Sequence, residues 1–154
     1  MFHLILFEPE IPPNTGNIIR LCANAGATLH LVRPLGFSLD DARLRRAGLD
    51  YRDLAQVRVH ENLGGCIVEL GEARIFAVET GNGARHTDRN YRAGDAFLFG
   101  RETGGLPAGV LAQFPAENVI RLPMVPGNRS INLSNAAAIV LFEAWRQSGF
   151  SGGS

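Results

Sequence analysis

The sequence predicts an α/β fold, a mostly parallel sheet covered by helices on both faces, and three observations carry that reading. Short apolar runs recur along the chain, most of them too apolar for strands with one wet face. They alternate with capped segments of helical pattern, as parallel sheets with crossover helices require. Glycines gather just past the later runs, at the strand ends where open parallel sheets bind ligands.

The elements follow in order. Residues 2–7 open the chain as a buried strand, and a proline-rich stretch leads into a helix over 15–24 that Gly26 closes, with Asn14 or Thr15 able to cap it. A second strand is expected at 28–32. Ser38 and Gly48 bracket a helix over 40–47; a third strand covers 57–59 and a helix 62–70. Strands at 74–78 and 96–99 come next, followed by Gly81 and Gly83 in one case and by Gly100, Gly104 and Gly105 in the other. Pro107 suits a first helical position and starts a short helical turn. The last strand is 118–121, and the last helix runs over 134–147 with Ser134 as its candidate cap. Residues 1–148 read as one domain, and the Gly/Ser-rich tail 149–154 as a flexible end.

Composition excludes several function classes. At 154 residues, 45% hydrophobic and 19% charged, the chain is in the range of one globular domain. All 15 basic residues are Arg, which removes Schiff-base chemistry, lysine-anchored pyridoxal phosphate and any Walker A loop. The net charge of zero gives the whole molecule no pull toward nucleic acid, so such a partner must be met by a local patch. Between residues 20 and 58 seven Arg face four Asp, either a solvated helix face or a phosphate-binding surface. Cys22 and Cys66 lie far apart, with no CxxC and no His at metal-ligand spacing, so a reduced, cytosolic setting and no metal are expected. The first residues do not form a secretory signal, and the longest apolar run, 136–142, is far short of a membrane span.

Three stretches carry candidate chemistry. In EPEIPPNTGNIIR (8–20), Arg20 falls on the helix face of Asn17 and Asn24, opposite Ile18, Ile19 and Cys22, which is either ordinary amphipathicity or a polar stripe offered to a nucleotide. In FLFGRETGGLP (97–107), Gly100 marks a close approach of backbone to a ligand or to another strand, and Glu102 either caps amides or orients a polar ligand. In the stretch 120–140 the loop before the last helix is longer and richer in hydroxyl and amide groups than a connection requires, and Ala136 to Ala138 suit a closely packed helix.

PEIPPNTGNIIRLCANAG, FGRETGGLP and IRLPMVPGNRSINLSNAAAIVLFEAWRQ together resemble the three motifs of the SPOUT superfamily of RNA methyltransferases. The likeness is closest to the tRNA 2′-O-methyltransferases that act on the wobble nucleotide, position 34, of certain leucine tRNAs; RRAGLDY (45–51) fits that subgroup, and the resemblance covers 4–147. It implies a deep trefoil knot at the carboxyl end, S-adenosylmethionine held in the knot loops, a homodimer in the cytoplasm, tRNA as partner and no metal. It also implies that Gly100 and Ala136 to Ala138 lie where chain threads through chain. The methyl-donor pocket would be lined by Val78, Gly100, Leu122, Ser130, Ile131 and Leu133. Arg20 would be the catalytic arginine, reaching the partner's pocket, with Asn14, Glu102, Ser130 and Asn132 around the reacting ribose. Phe142, Gly104, Gly127 and Asn128 depart from the residues common in that family.

Methyl transfer to a ribose 2′-hydroxyl is an in-line displacement, so the protein aligns two bound molecules and helps the hydroxyl lose its proton. Arginine is a poor base, which leaves Arg20 the role of stabilising the developing alkoxide and gripping a phosphate. Arg43, Arg45 and Arg46 would bind RNA electrostatically, with Tyr51 a candidate for stacking on a base. Competing readings are the same chemistry on another tRNA or rRNA site, and a knotted RNA-binding module without catalysis. A Rossmann cofactor protein lacks its GxGxxG after a strand.

Overall fold

The computed structural model describes residues 1–46, 50–54 and 56–154, with the side chains of Arg45, Tyr51 and Arg52 not among them. In chain order the elements are β1 (His3–Phe7), α1 (Pro12–Ala25), β2 (Thr28–Val32), α2 (Ala42–Arg45), α3 (Tyr51–Leu54), β3 (Val57–His60), α4 (Leu63–Leu70), β4 (Ile75–Glu79), β5 (Ala84–Arg85), β6 (Ala96–Phe99), α5 (Ala108–Leu111), β7 (Val119–Arg121) and α6 (Leu133–Gln147). Among the described residues the strands form one seven-stranded sheet in the order β3-β2-β1-β6-β4-β7-β5, each neighbouring pair parallel. The two-residue β5, which lacks a local strand pattern, exists through its pairing with β7.

Both faces of the sheet are covered, which is why β1 is apolar without alternation. Leu4 and Leu6 face α1 and α6 in a core with Ile18, Ile19, Cys22, Phe97, Ala137 and Val140. Ile5 and Phe7 face the other way, with Leu98, Leu106, and Leu63 and Cys66 of α4. α6 lies against α1, and its Ala137 and Ala144 are fully buried, as expected for a helix that needs a close neighbour.

Three expected caps are corrected. α1 starts at Pro12, with Ile11 as the flanking residue, and neither Asn14 nor Thr15 caps it. Pro12 and Pro13 carry no N–H, and the Ile11 carbonyl accepts from the amides of Asn14 and Thr15, so the first turn leaves little for a side chain to satisfy. α2 is capped by Asp41, which accepts from the Arg43 amide, rather than by Ser38. α6 is capped by Asn132, which accepts from the amides of Ser134 and Asn135, rather than by Ser134. Gly26 closes α1 in the left-handed region at φ 64°, as expected, and Asn62, read as the first residue of a helix, instead caps α4. The tail 149–154, expected to be flexible, turns back on α6: Phe150 stacks edge-on against Trp145, whose indole N–H donates to the Ser151 carbonyl at 3.0 Å.

Candidate active site

The carboxyl ends of β4, β6 and β7 open on a cavity of about 550 Å³. Val78 reaches it from β4, Gly100 from the turn after β6, and Leu122 from the residue after β7. The polar loop before α6 contributes Ser130, Ile131 and Asn132, and α6 itself Leu133 and Ala136. Asn14 enters from α1, Ile11 from the residue just before it, and Glu102 from the glycine-rich turn. Of the residues expected around the donor and the ribose, all but Arg20 therefore line one cavity. Arg20 is exposed on α1, six residues beyond Asn14, which is a rise of about 9 Å along the helix.

The loops around the cavity are held to one another by a few polar contacts. Asn132 Nδ2 donates to Asn14 Oδ1 at 3.0 Å while Asn132 Oδ1 caps α6, so one side chain fixes the helix start and joins it to α1. The Glu102 carboxylate accepts from the amides of Glu10 and Ile11 at 2.8 and 3.0 Å. It thus clamps the proline loop to the turn after β6, rather than capping α5. Glu10 returns the contact by accepting from Thr103 Oγ1 at 2.8 Å. Arg101 Nε donates to Glu8 at 2.8 Å, and the guanidinium lies over the Phe7 ring. Glu8 itself sits at φ 49°, a left-handed position uncommon for a residue with a side chain.

Gly100 is explained by the turn itself. Arg101 and Gly105 exchange backbone hydrogen bonds of 3.2 and 2.9 Å, folding the turn so tightly that a Cβ on Gly100 would overlap the Gly105 carbonyl carbon and the Leu106 nitrogen. The backbone it approaches most closely is thus that of its own turn, while Gly100 also lines the cavity.

The lining suits S-adenosylmethionine. The volume lies within the range of about 300–1,000 Å³ typical of small-molecule sites. Leu122, Ile131, Leu133 and Ala136 offer apolar surface for a flat base, and Glu79 and Glu102 bring carboxylates to a cavity that would hold a sulfonium cation.

The expected RNA-binding residues are only partly described. Arg43 is exposed but paired with Asp41 at 2.9 Å, an ion pair that raises the arginine and holds the Asp41 carboxyl below its usual range, chiefly through the side-chain hydrogen bond between them. Arg46 is exposed at the end of α2. The side chains of Arg45 and Tyr51 lie outside the described residues. Phe142, where the family commonly has Tyr, is exposed on α6 and packs edge-on against Trp145.

Sequence reasoning missed a row of three histidines beneath α4. His3 Nδ1 lies 3.1 Å from His30 Nε2, and His30 Nδ1 lies 2.9 Å from His60 Nε2. They come from β1, β2 and β3, so strand register alone assembles them, and no local spacing signals the row.

Fold and cavity together define a parallel α/β protein with a small-molecule site at the carboxyl edge of its sheet. The chain belongs to the SpoU rRNA methylase family, whose model matches residues 1–142, and it is accordingly a methyltransferase. The tRNA (cytidine(34)-2′-O)-methyltransferase of Methylovorus glucosotrophus (strain SIP3-4) is 57% identical to it over 152 residues, spanning 99% of each chain. A solved structure concerned with the 2′-OH methylation of C/U34 on tRNA superposes with a TM-score of 0.90 at 43% identity, covering 97% of each chain. An AdoMet-bound rRNA methyltransferase from Sinorhizobium meliloti superposes with a TM-score of 0.81 at 25% identity over 94% of this chain and 56% of its own. Among the described residues no helix is long and apolar enough to cross a membrane.

Proposed function

We propose that this chain methylates the ribose 2′-hydroxyl of the wobble nucleotide, cytidine or modified uridine at position 34, of leucine tRNAs, using S-adenosylmethionine and working as a cytoplasmic homodimer. One observation carries the reading: three stretches far apart in sequence meet on one cavity, tied there by the Asn14–Asn132 hydrogen bond and the Glu102 clamp. The names of the relatives support the nucleotide, and the AdoMet-bound neighbour supports the donor.

Val78, Gly100, Leu122, Ser130, Ile131 and Leu133 would hold the donor, whose sulfonium supplies the methyl group. Asn14, Ser130 and Asn132 orient the ribose, and Glu102 fixes the loop that carries Ile11 and Asn14. Arg20 stabilises the 2′-oxygen as its proton leaves and grips the adjacent phosphate, from the partner protomer. The exposed Ile139 and Phe142 of α6, on the helix that packs beside α1, support a second chain covering this side. Arg43, Arg45 and Arg46, with Tyr51, bind the anticodon arm. Residues 1–148 form the single domain, and the carboxyl end threads as a trefoil knot. The displacement needs alignment rather than a Lewis acid, so no catalytic metal is invoked.

The test is to incubate the protein with labelled S-adenosylmethionine and bulk tRNA from a strain lacking this activity, then map the label. Label on nucleotide 34 of leucine tRNAs is the expected result. Label at another position, or only on rRNA, would overturn the assignment.

A further inference from the structure

We infer that His30, His60 and Cys66 form a buried binding site for a soft d10 cation, Zn²⁺ or Cu⁺, that pins the outer strand β3 and helix α4 to the sheet. The inference is independent of the methyl-transfer reading, because these residues lie on the β2–β3 side of the sheet and not at the cavity.

Geometry carries it. β2 and β3 pair in parallel with Val32 opposite His60, so His30 and His60 point to the same face two residues apart in register. Asn62 caps α4 immediately after β3, and the two buried residues of that short helix, Leu63 and Cys66, face the sheet. One nitrogen from each imidazole and the Cys66 sulfur lie within 4.8 Å of one another, and the closest nitrogens, His30 Nδ1 and His60 Nε2, are 2.9 Å apart. A zinc ion with bonds of about 2.0–2.1 Å to nitrogen and about 2.3 Å to sulfur holds its donors roughly 3.3–3.7 Å apart. Closing the site thus asks for movements of several tenths of an ångström to about 1 Å at side-chain ends.

The contacts of the outward-facing histidine nitrogens point the same way. A metal-binding histidine characteristically engages its other ring nitrogen with a carboxylate or another acceptor. His60 Nδ1 lies 3.7 Å from Glu69 Oε2, and His30 Nε2 lies 3.1 Å from His3 Nδ1. All three donor residues are buried, at 2%, 8% and 0% exposure, so the site is closed to solvent. Two imidazoles and a thiolate are the ligand types that select Zn²⁺ and Cu⁺ over Mg²⁺ or Ca²⁺. On binding, the S–H bond of Cys66 breaks, a sulfur–metal bond forms, and one proton leaves to solvent. The His30 ring takes the tautomer with hydrogen on Nε2, so its Nδ1 lone pair faces the ion.

Metal-stripped full-length chain, titrated with Co²⁺ as a spectroscopic substitute for Zn²⁺ and in a separate anaerobic arm with Cu⁺ against a competing chelator, tests this. We expect one ion per chain in at least one arm, with a higher melting temperature in the bound state. If Zn²⁺ is the occupant, Co²⁺ gives a thiolate charge-transfer band in the near ultraviolet that added Zn²⁺ abolishes; if Cu⁺, only the chelator competition reports binding. Cys66→Ser should weaken the affinity tenfold or more, while Cys22→Ser, in the core on the opposite face, should leave it unchanged. His60→Gln serves as the second variant if Cys66→Ser does not fold. Failure of both ions to bind the wild-type chain stoichiometrically, or unchanged affinity in a folded Cys66→Ser or His60→Gln protein, would overturn the proposal and leave the cluster a hydrogen-bonded piece of core.

Discussion

Asn132 Nδ2 donates to Asn14 Oδ1 at 3.0 Å across 118 residues of sequence, and the same Asn132 side chain caps α6 through its oxygen. The two functions separate by substitution. Asn132→Asp keeps the cap acceptor and removes the donor toward Asn14; Asn132→Ala removes both. A lost cap costs about 0.5–2 kcal/mol and a lost hydrogen bond about 1 kcal/mol. Urea unfolding should therefore show Asn132→Ala as the less stable of the two, while both variants lose methyl transfer because the ribose side of the cavity comes apart. A fully active Asn132→Asp enzyme would deny the link any part in the reaction.

Gly100→Ala tests the tight turn. Its Cβ would overlap backbone atoms of Gly105 and Leu106, and backbone gives way less easily than a flexible side-chain end. Overpacking of this kind costs about 1–3 kcal/mol. Because the turn also carries Glu102, we expect S-adenosylmethionine affinity measured by calorimetry to fall with the melting temperature. A variant that binds the donor normally would mean that the turn relaxes without moving the clamp.

Much of this architecture was legible in the sequence, and the misses have physical causes. Strands 28–32 and 96–99 match their observed bounds because uninterrupted burial leaves an apolar run with sharp ends. The cavity was locatable because glycines mark the strand ends where a parallel sheet binds ligands. Caps were harder: Asn132 and Ser134 are both good cap residues two positions apart, and only the path of the loop chooses between them. The ion pair that Arg43 makes with Asp41, two residues earlier, was not legible either, because a charge count does not say which neighbours pair. The histidine row and β5 depend on which strands become neighbours, and no local pattern encodes that.

Acid should loosen the carboxyl end of α6. Glu143 accepts from Arg146 at 2.9 Å through both oxygens and from Gln147 at 2.8 Å, and the Arg146 hydrogen bonds, above all, hold its carboxyl at about 2 instead of 4.5. A carboxyl depressed in the folded state gives stability that is complete above its unfolded value and is lost as pH falls through the folded one. The window is therefore about pH 4.5 down to 2. Gln147 also donates to the Arg89 carbonyl and accepts from the Tyr91 amide, so this end of α6 holds the 89–91 loop. Denaturant midpoints should fall more steeply across that window in wild type than in Glu143→Gln. Parallel slopes would assign the acid sensitivity to other carboxylates, such as Asp41.

Arg20 supports the sharpest test of how the reaction is assembled. It is exposed on α1 and stands outside the cavity lining of its own chain, whereas stabilising a developing alkoxide demands contact with the reacting oxygen. Arg20→Ala should leave the fold intact and lower methyl transfer by about 10²–10³-fold, the usual cost of losing one such group. Where the missing contact comes from is decided by mixing. Ile131→Trp fills the cavity and removes donor binding while sparing Arg20. In a heterodimer of the two variants, an arginine acting across the interface meets an intact cavity once per dimer, and activity returns to roughly half of wild type. An arginine acting within its own chain finds no intact cavity, and the mixture stays as inactive as its parts. Differently tagged chains purified as the heterodimer and assayed for methyl transfer distinguish the two outcomes.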